Sequence, residues 1–412
     1  MAEQKSEKKG PSLTVQILVA MVAGLILGLL LNAAPETGVL REYLVDGVFA
    51  VIGKIFVNTL KMLVVPLVFV SLVCGTAALS DPAKLGRVGG KTIGMYMITT
   101  AVAISLALLI GLMVSPGSGF ALDPNSTGFD AKEAPSLKEV LINIFPTNPV
   151  RAMADGNMLQ VIVFSILFGI AMSLLGRKSE RVAGIFNEAN DINMKMITIL
   201  MFLAPYGVFC LLAKVFAEQG LSAIAPLALY FICVVAALVI HWVGTFSLLL
   251  QLLGRLNPPI FFYKIRPILA FAFSTSSSNA TIPITLETVE HKLGVKNTIA
   301  SFTIPLGATI NMDGTAIMQG VATVFIAQAY GLDLPATALL QVILTATLAS
   351  VGTAGVPGVG LLTLAMVLRQ VNLPVEGIAL IIGVDRLVEM RRTAVNVCGD
   401  AAVCGIVAKA EG

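Results

Sequence analysis

Long apolar runs restrict this chain to a membrane fold. Runs of about 20 residues, the length a helix needs to cross a bilayer, recur near residues 13–32, 46–74, 92–114, 158–176, 194–216 and 224–253. Only 12% of the residues are charged and 57% are hydrophobic, whereas soluble proteins carry roughly 25% charged residues. A membrane β-barrel would show short alternating strands instead. The pattern therefore predicts an all-α polytopic membrane protein.

Basic residues predict the orientation of the chain in the cell membrane. They cluster in the N-terminal tail and in two loops, as Lys5, Lys8 and Lys9, then Lys84, Arg87 and Lys91, then Arg177, Lys178 and Arg181. The positive-inside rule places these segments, and thus the N-terminus, in the cytoplasm. Residues 15–31 lack a clear small-residue cleavage site, so we expect no cleavable signal peptide. Five cysteines without CxxC spacing predict neither a disulfide framework nor a zinc site.

Two clusters of Gly, Ser and Pro interrupt apolar sequence in the second half. They are FAFSTSSSNATIPIT (271–285) and LASVGTAGVPGVG (348–360). Non-helical backbone at membrane depth is tolerated only where it is buried in protein or lines a cavity. Paired interrupted segments of this kind are typical of the binding site of a secondary transporter. Kinked helices or extramembrane loops are the alternative interpretation.

A third interruption, TIPLGATINMDGTAIMQG (303–320), lies between these two clusters. Asn311 and Asp313 break an apolar helix there, and Gly307 and Gly314 loosen it. Backbone carbonyls with Asn and Asp side chains are hard oxygen ligands, which suit a small cation such as sodium. Read alone, the Asn-Met-Asp-Gly sequence also fits a turn at the membrane surface.

The last apolar segment carries a stripe of charge. Its polar residues recur at helical spacing, as Asp385, Glu389, Arg392, Asn396 and Asp400. Charge at membrane depth is costly and persists mainly where it faces a cavity, an ion or a partner. This face of the helix is therefore expected to bind a charged ligand.

The four motifs together resemble the glutamate transporter family. They are SSSNATIP, NMDGT, SVGTAGVPG and the final pattern E-x-x-R-T-x-x-N-x-x-G-D, in that order. The resemblance implies a homotrimer whose protomers have eight transmembrane helices, two re-entrant helical hairpins and inverted repeats. It further implies an elevator-type transporter, in which the second hairpin is the extracellular gate.

The resemblance also implies a division of the chain. Residues 13–78 and 145–222 would form the scaffold and trimerisation domain, and residues 85–115 and 223–410 the transport domain. Residues 1–12 would be a cytoplasmic tail and residues 116–144 an extracellular loop.

The resemblance assigns a substrate site for an acidic amino acid. Arg392 would hold the distal carboxylate with its guanidinium fork, and Glu389 would meet the amino group. The remaining expected contacts are Thr315 beside Arg392, Thr393 beside Glu389, Asn396 and Ser278 at the α-carboxylate, and backbone groups of Ser276, Val356 and Gly360.

Three sodium sites are implied in the same way. The first would use Asp400 with carbonyls of Gly307, Asn311 and Asn396. The second would use carbonyls of Thr309, Ser350, Val351 and Thr353, near Met312. The third would use Tyr96, Thr99 and Thr100 with Asn311 and Asp313. Alone, Tyr96, Thr99 and Thr100 would be ordinary polar contacts between packed helices. Na⁺ is the expected coupling ion, because proton-coupled relatives tend to lack a carboxylate at the position of Asp400.

Two departures from the family pattern concern the substrate site. Glu389 stands where amino-acid-transporting relatives usually have aspartate, and Ser276 stands where archaeal relatives have arginine. Arg391 is a candidate for the relocated arginine. Among other polar residues, we expect His241 and His291 to be interfacial. We expect Asp385 and Arg386 to pair locally or to cap the site.

The resulting functional hypothesis is sodium-coupled symport of L-aspartate or L-glutamate into the cell. The alternatives are a dicarboxylate or neutral amino-acid symporter, a proton-coupled glutamate symporter, and an ion channel. No GxSxG, HExxH or nucleotide-binding loop occurs in the sequence, so an enzyme is not expected.

Overall fold

The structure is a computed structural model that describes residues 13–33, 42–77, 88–118, 120, 142, 145–351, 353, 355 and 357–411. Every regular element in these ranges is helical, which confirms the predicted all-α class. The tail 1–12, most of the insertion 116–144 and Val356 lie outside the described residues. The predictions made for them therefore stay predictions.

The helices follow one another closely along the chain. They are α1 (Leu13–Asn32), α2 (Ala50–Ala77), α3 (Gly90–Val114), α4 (Pro149–Asp155), α5 (Met158–Leu175), α6 (Glu180–Met201), α7 (Ala204–Gln219), α8 (Ile224–Ile240), α9 (Phe246–Leu252), α10 (Pro258–Lys264), α11 (Arg266–Thr275), α12 (Ser278–His291), α13 (Asn297–Ile310), α14 (Asp313–Ala329), α15 (Ala336–Ser350), α16 (Val359–Gln370) and α17 (Ile378–Glu411). A π-helical segment, Glu42–Phe49, leads into α2, and another, His241–Thr245, joins α8 to α9.

Six helical stretches of the described chain are long and apolar enough to cross a membrane. Two of them, Leu159–Met201 and Ala204–Leu252, contain 43 and 49 residues, about twice the length that one crossing requires. The stretch Val375–Glu411, which contains α17, is 78% buried, whereas the other five are 24–44% buried. The charged helix α17 therefore forms the centre of the molecule, and the more apolar helices surround it.

Close helix packing holds the outer layer together. Helix α1 packs along α7, and α2 packs against α5 and α6. A Cβ atom added at Gly24 would lie 2.6 Å from the carbonyl oxygen of Phe209, and one added at Gly28 would lie 2.6 Å from that of Ala213. Small residues allow such close approach of helix backbones in membranes. Glycine is thus required at both positions for α1 to contact α7.

The two Gly/Ser/Pro clusters form the tips of two helical hairpins. The first hairpin is α11–α12 and turns at Ser276, whose φ of 51° ends α11 in a left-handed conformation. The second hairpin is α15–α16 and turns between Ser350 and Val359. The tips touch, because the Ser277 hydroxyl donates to the Gly355 carbonyl oxygen at 2.8 Å. The predicted interruptions are thus observed as breaks between successive helices, and the two breaks lie in contact.

The interruption at NMDGT is also confirmed. Helix α13 ends at Ile310, helix α14 begins at Asp313, and Asn311 and Met312 between them are not helical. Asn311 and Asp313 are both fully buried. This excludes a turn at the membrane surface and places the broken backbone beside α17, which contacts both α13 and α14.

Candidate functional site

A small cavity lies where the two hairpin tips, the α13–α14 break and α17 converge. Its volume is ≈ 20 Å³. The lining residues are Ser276, Ser278, Met312, Thr315, Thr353, Gly355, Val359, Gly360, Glu389, Arg392, Thr393 and Asn396. All the substrate residues predicted from the sequence are among them except Val356, which lies outside the described residues. The structure thus brings the predicted residues together in one pocket.

Arg392 is the electrostatic centre of this pocket. Its guanidinium donates from Nη2 to Oε1 of Glu389 at 3.0 Å and from Nη1 to Oδ1 of Asp385 at 3.2 Å. Arg386 pairs with the other carboxylate oxygen of Glu389. The four side chains form a network of two cations and two anions, and only Arg386 is more than 7% exposed in its side chain. The network is therefore electrically balanced without a ligand.

The second hairpin closes over this network. The Gly358 N–H donates to Oε1 of Glu389 at 2.6 Å, and Gly358 has a φ of 89° that favours glycine. A Cβ atom at Gly360 would overlap the Arg392 guanidinium. A volume of this size holds about one water molecule, so any larger ligand could enter only if the hairpin tip moved.

Asn396 joins α17 to the start of α14. Its Oδ1 accepts from the Gly314 N–H at 2.7 Å, and its Nδ2 lies 3.5 Å from the sulfur of Met312. A Cβ atom at Gly314 would overlap the backbone of Arg392. Glycine is required here because α14 begins in contact with α17. Asn396 lines the pocket through its side chain, while its carbonyl oxygen faces the residues described next.

Asp400 lies one turn further along α17 in a fully buried polar cluster. Asn311 donates from Nδ2 to Oδ1 of Asp400 at 2.8 Å and to the Asn396 carbonyl oxygen at 2.7 Å. A Cβ atom at Gly307 would lie 2.5 Å from both Oδ1 of Asp400 and the Tyr96 hydroxyl. Oδ1 of Asn311 is buried and has no hydrogen-bond partner among the described residues. The four groups predicted for the first sodium site are thus adjacent.

Asp313 is the centre of a second buried cluster between α3, α8 and α14. The hydroxyl of Thr100 donates to Oδ1 of Asp313 at 2.6 Å, and that of Thr99 does so at 3.3 Å. His241 contacts Oδ2 of Asp313 through Nε2 at 3.0 Å. Tyr96, one turn before Thr100 on α3, donates to the Thr303 carbonyl oxygen at 3.3 Å. Of the residues predicted for the third sodium site, Thr99, Thr100 and Asp313 therefore meet, with His241 as an additional member. Tyr96 and Asn311 lie instead at the Asp400 cluster.

The residues predicted for the remaining sodium site lie at the second hairpin tip and the end of α13. Met312 and Thr353 line the pocket. The side-chain hydroxyls of Thr309, Ser350 and Thr353 each donate to a carbonyl of the preceding helical turn, so these hydroxyls can offer a ligand only their oxygen lone pairs. No group of three or more His, Cys, Asp or Glu side chains suited to a metal occurs in the described ranges. Each predicted ion site thus offers neutral oxygen ligands with at most one carboxylate.

Two sequence-based expectations need correction. His241 is not interfacial: it is fully buried and bonded to Asp313. Arg391 does not extend toward the pocket; its guanidinium lies 5.1 Å from the centre of the Phe231 ring and donates to the Leu387 carbonyl oxygen. Asp385 and Arg386 pair locally within α17, as expected, and the partner of Asp385 is Arg392.

Comparison with known proteins agrees with this geometry. The model of the Sodium:dicarboxylate symporter family matches residues 13–410. The chain is 38% identical to the Neutral amino acid transporter B(0) of Bos taurus, over 96% of this chain and 79% of the relative. It is 36% identical to the Proton/glutamate-aspartate symporter of Escherichia coli, over 97% and 93% of the two chains. It is 34% identical to the Proton/sodium-glutamate symport protein of Bacillus caldotenax, over 96% and 94%.

The broken helices around a buried charged pocket define a multi-pass secondary transporter. The chain belongs to the Sodium:dicarboxylate symporter family, which confirms the resemblance to the glutamate transporters and the expectation that it is not an enzyme.

Proposed function

We propose that this chain couples the entry of an acidic amino acid, L-aspartate or L-glutamate, to the entry of Na⁺. One observation carries the proposal: a buried arginine and a buried carboxylate, Arg392 and Glu389, face one cavity beneath a hairpin tip. A guanidinium recognises a carboxylate in a bidentate manner. An adjacent carboxylate suits the ammonium group of the same substrate.

Substrate binding would exchange partners within the Arg392 network. The distal carboxylate of the substrate takes over the Arg392 guanidinium from Glu389, and Glu389 turns to the substrate amino group. Asp385 keeps one side of the guanidinium, since it binds a different nitrogen, Nη1. Thr315 and Asn396 line the same cavity and supply further polar contacts. The exchange replaces one charge pair, Arg392 with Glu389, by two pairs, Arg392 with the distal carboxylate and Glu389 with the amino group. The α-carboxylate of the substrate would be held by neutral polar groups, Ser278 and Asn396, which line the same cavity.

Sodium serves as co-substrate and balances the buried carboxylates. Asp400 forms no ion pair with any described residue, and the one ionisable partner of Asp313 among the described residues is His241. A buried carboxylate without a cation is costly. The orphaned Oδ1 of Asn311 and the carbonyl oxygens at the α13–α14 break suit a small hard cation. The site fits Na⁺, which would be held by Asp400 with Gly307, Asn311 and Asn396, and by Asp313 with Tyr96, Thr99 and Thr100.

The family's architecture is part of the proposal. The protomer would have eight membrane-spanning segments with the N-terminus in the cytoplasm, two re-entrant hairpins and an elevator motion, and three protomers would assemble. Helices α1, α2, α5, α6 and α7 would belong to the scaffold, and α3 and α8 to α17 to the transport domain. The packing of α1 on α7 and of α2 on α5 and α6, with α3 packed instead on α14, supports this division.

Two other functions have specific support. Relatives named as neutral amino acid transporters are as similar as the bacterial glutamate symporters, and one relative is named as proton-coupled. Arg392 argues for an acidic substrate, because a neutral side chain would leave the guanidinium without its new partner. A dicarboxylate without an amino group would offer Glu389 no replacement for Arg392 and would leave it, among the described residues, with Arg386 alone as a cationic partner.

Uptake into proteoliposomes tests the proposal. Radiolabelled aspartate should accumulate when a sodium gradient is imposed, and much less when a proton gradient of equal size replaces it in potassium. Excess unlabelled glutamate should compete, and alanine and succinate should not. Accumulation driven equally well by the proton gradient, or competition by alanine equal to that by glutamate, would contradict the proposal.

A further inference from the structure

A cavity of ≈ 490 Å³ lies apart from the substrate pocket and shares no lining residue with it. It forms where three segments meet: the link between α9 and α10, the link between α12 and α13, and the last turn of α17. Four cationic side chains line it, Arg255, Lys264, Lys296 and Lys409, and no acidic residue does. None of the pocket residues described above takes part.

Three of these cations have no acidic partner within the described ranges. Arg255, Lys264 and Lys409 form no ion pair with any acidic residue in the part of the chain that the structure describes. Like charges that share a cavity repel one another unless an anion lies between them. The cavity therefore favours an anionic ligand.

Arg255 adopts a backbone conformation that costs free energy. Its φ is 48°, in the left-handed region that glycine usually occupies just after a helix. The Leu256 N–H donates to the Leu250 carbonyl oxygen at 2.9 Å and fixes this turn. Glycine would adopt the same conformation without strain. The chain instead retains a strained arginine whose side chain lines the cavity.

The surroundings of the cavity indicate membrane lipid rather than a soluble anion. Its remaining lining includes the apolar side chains of Phe261 and Ile299, and the neighbouring Leu252 and Leu253 are 68% and 56% exposed. Tyr263 is 67% exposed and holds Arg266 over its ring, 4.7 Å from the centroid. Tyrosine of this kind is enriched at the level of the lipid headgroups.

The positive-inside rule, applied to the basic residues before and at the start of α3, predicts the cytoplasmic side of the membrane for this cavity. Lys91, in the first turn of α3, forms an ion pair of 2.6 Å with Glu411, two residues after Lys409. Anionic lipids concentrate in that leaflet, and basic pockets between membrane helices bind their headgroups.

We propose that this cavity binds an anionic phospholipid, with the phosphodiester held by Arg255, Lys264 and Lys409 and the acyl chains against the apolar wall. The site is separate from the substrate pocket. Lipid binding is measured without transport, so the outcome does not depend on which substrate or coupling ion the protein uses.

Native mass spectrometry of the delipidated full-length protein tests the proposal. The protein is titrated with one of three ligands: dioctanoyl phosphatidylglycerol, dioctanoyl phosphatidylcholine or inorganic phosphate. The cavity variant is Arg255→Gly with Lys264→Gln and Lys409→Gln. The matched control is Arg177→Gln with Lys178→Gln and Arg181→Gln, which removes three positive charges from the turn between α5 and α6. Each lysine or arginine adds an appreciable attraction to anionic lipid. The affinity of the cavity variant for phosphatidylglycerol should therefore be lower than that of wild type by roughly tenfold or more.

Wild type and control should prefer phosphatidylglycerol to phosphatidylcholine, and the cavity variant should not. The proposal would be overturned if the cavity variant kept the wild-type preference for phosphatidylglycerol, or if the control lost as much affinity as the cavity variant. It would also be overturned if inorganic phosphate bound as tightly as phosphatidylglycerol. Arg255→Gly alone provides a second measurement, because glycine fits the left-handed turn. Its melting temperature should not fall while its affinity for phosphatidylglycerol does, and unchanged affinity would remove Arg255 from the site.

Discussion

Replacement of Arg392 by alanine removes the centre of the charge network and should cost both affinity and stability. Charge-assisted hydrogen bonds contribute about 1.5–3 kcal/mol each. Loss of the bond to the distal carboxylate should therefore weaken aspartate binding by roughly 10- to 150-fold, at about 1.4 kcal/mol for each factor of ten. Alanine and serine should gain relative to aspartate, because the truncated pocket no longer requires an acidic side chain.

The stability cost of this change follows from the two partners that lose Arg392. Asp385 and Glu389 have side chains only 7% and 4% exposed, and removal of one partner from a buried ion pair costs about 3–5 kcal/mol. Arg386 still pairs with Glu389, so Asp385 is the carboxylate left alone. The double variant Arg392→Ala with Asp385→Asn should recover much of the lost thermal stability while aspartate affinity stays low.

Arg391→Ala is the matched control for this experiment. The residue is the adjacent arginine on α17, but its guanidinium lies over Phe231 and does not line the pocket. Isothermal titration with aspartate, glutamate, alanine and serine should show near-wild-type values for Arg391→Ala. Undiminished aspartate affinity in Arg392→Ala, or an equal loss in Arg391→Ala, would refute the assignment of Arg392.

Three further predictions concern the ion site, the amino-group site and the hairpin tip. Asp400→Asn keeps the size of the side chain beside Asn311 but removes its charge, so aspartate binding should lose most of its sodium dependence. If the aspartate affinity of this variant rose with sodium concentration as it does in wild type, the prediction would be contradicted. Glu389→Asp moves the carboxylate roughly one carbon away from Arg392 and leaves more room between the two groups for the longer substrate. The affinity for glutamate should therefore rise relative to that for aspartate in competition binding, and an unchanged ratio of the two affinities would contradict this. Spin labels at Pro357 and Thr198 should move apart when a bulky blocking analogue of aspartate replaces aspartate, and an unaltered distance distribution would exclude the tip as a gate.

Local sequence chemistry was sufficient to predict where helices break. Ser276 and Gly358 adopt left-handed conformations at the hairpin tips, and serine and glycine clusters in apolar sequence predict such interruptions. Asn311 follows the same logic, because a side-chain amide and a nearby glycine weaken a helix between two apolar stretches. The helical stripe of α17 likewise placed Glu389, Arg392 and Asn396 on one face before their contacts were known.

Partners distant in sequence could not be predicted in the same way. His241 is 72 residues from Asp313, and a single histidine in an apolar run gives no sign that it faces inward. Its inward position follows the buried face of α8, since Tyr230, Val234, Ala237 and His241 recur at helical spacing and are all fully buried. The aromatic contact that turns Arg391 away from the pocket is equally remote, since Phe231 belongs to α8. The cationic cavity was missed because its charges come from three separate segments.

The central claim, that sodium binding is coupled to substrate binding, is tested most directly by equilibrium binding of aspartate to the purified protein. The sodium concentration is increased while potassium holds the ionic strength constant. If Na⁺ balances Asp400 and Asp313, the affinity for aspartate should rise steeply with sodium, and by thermodynamic reciprocity the affinity for sodium should rise with aspartate. Equal aspartate affinity in sodium and in potassium would contradict the account.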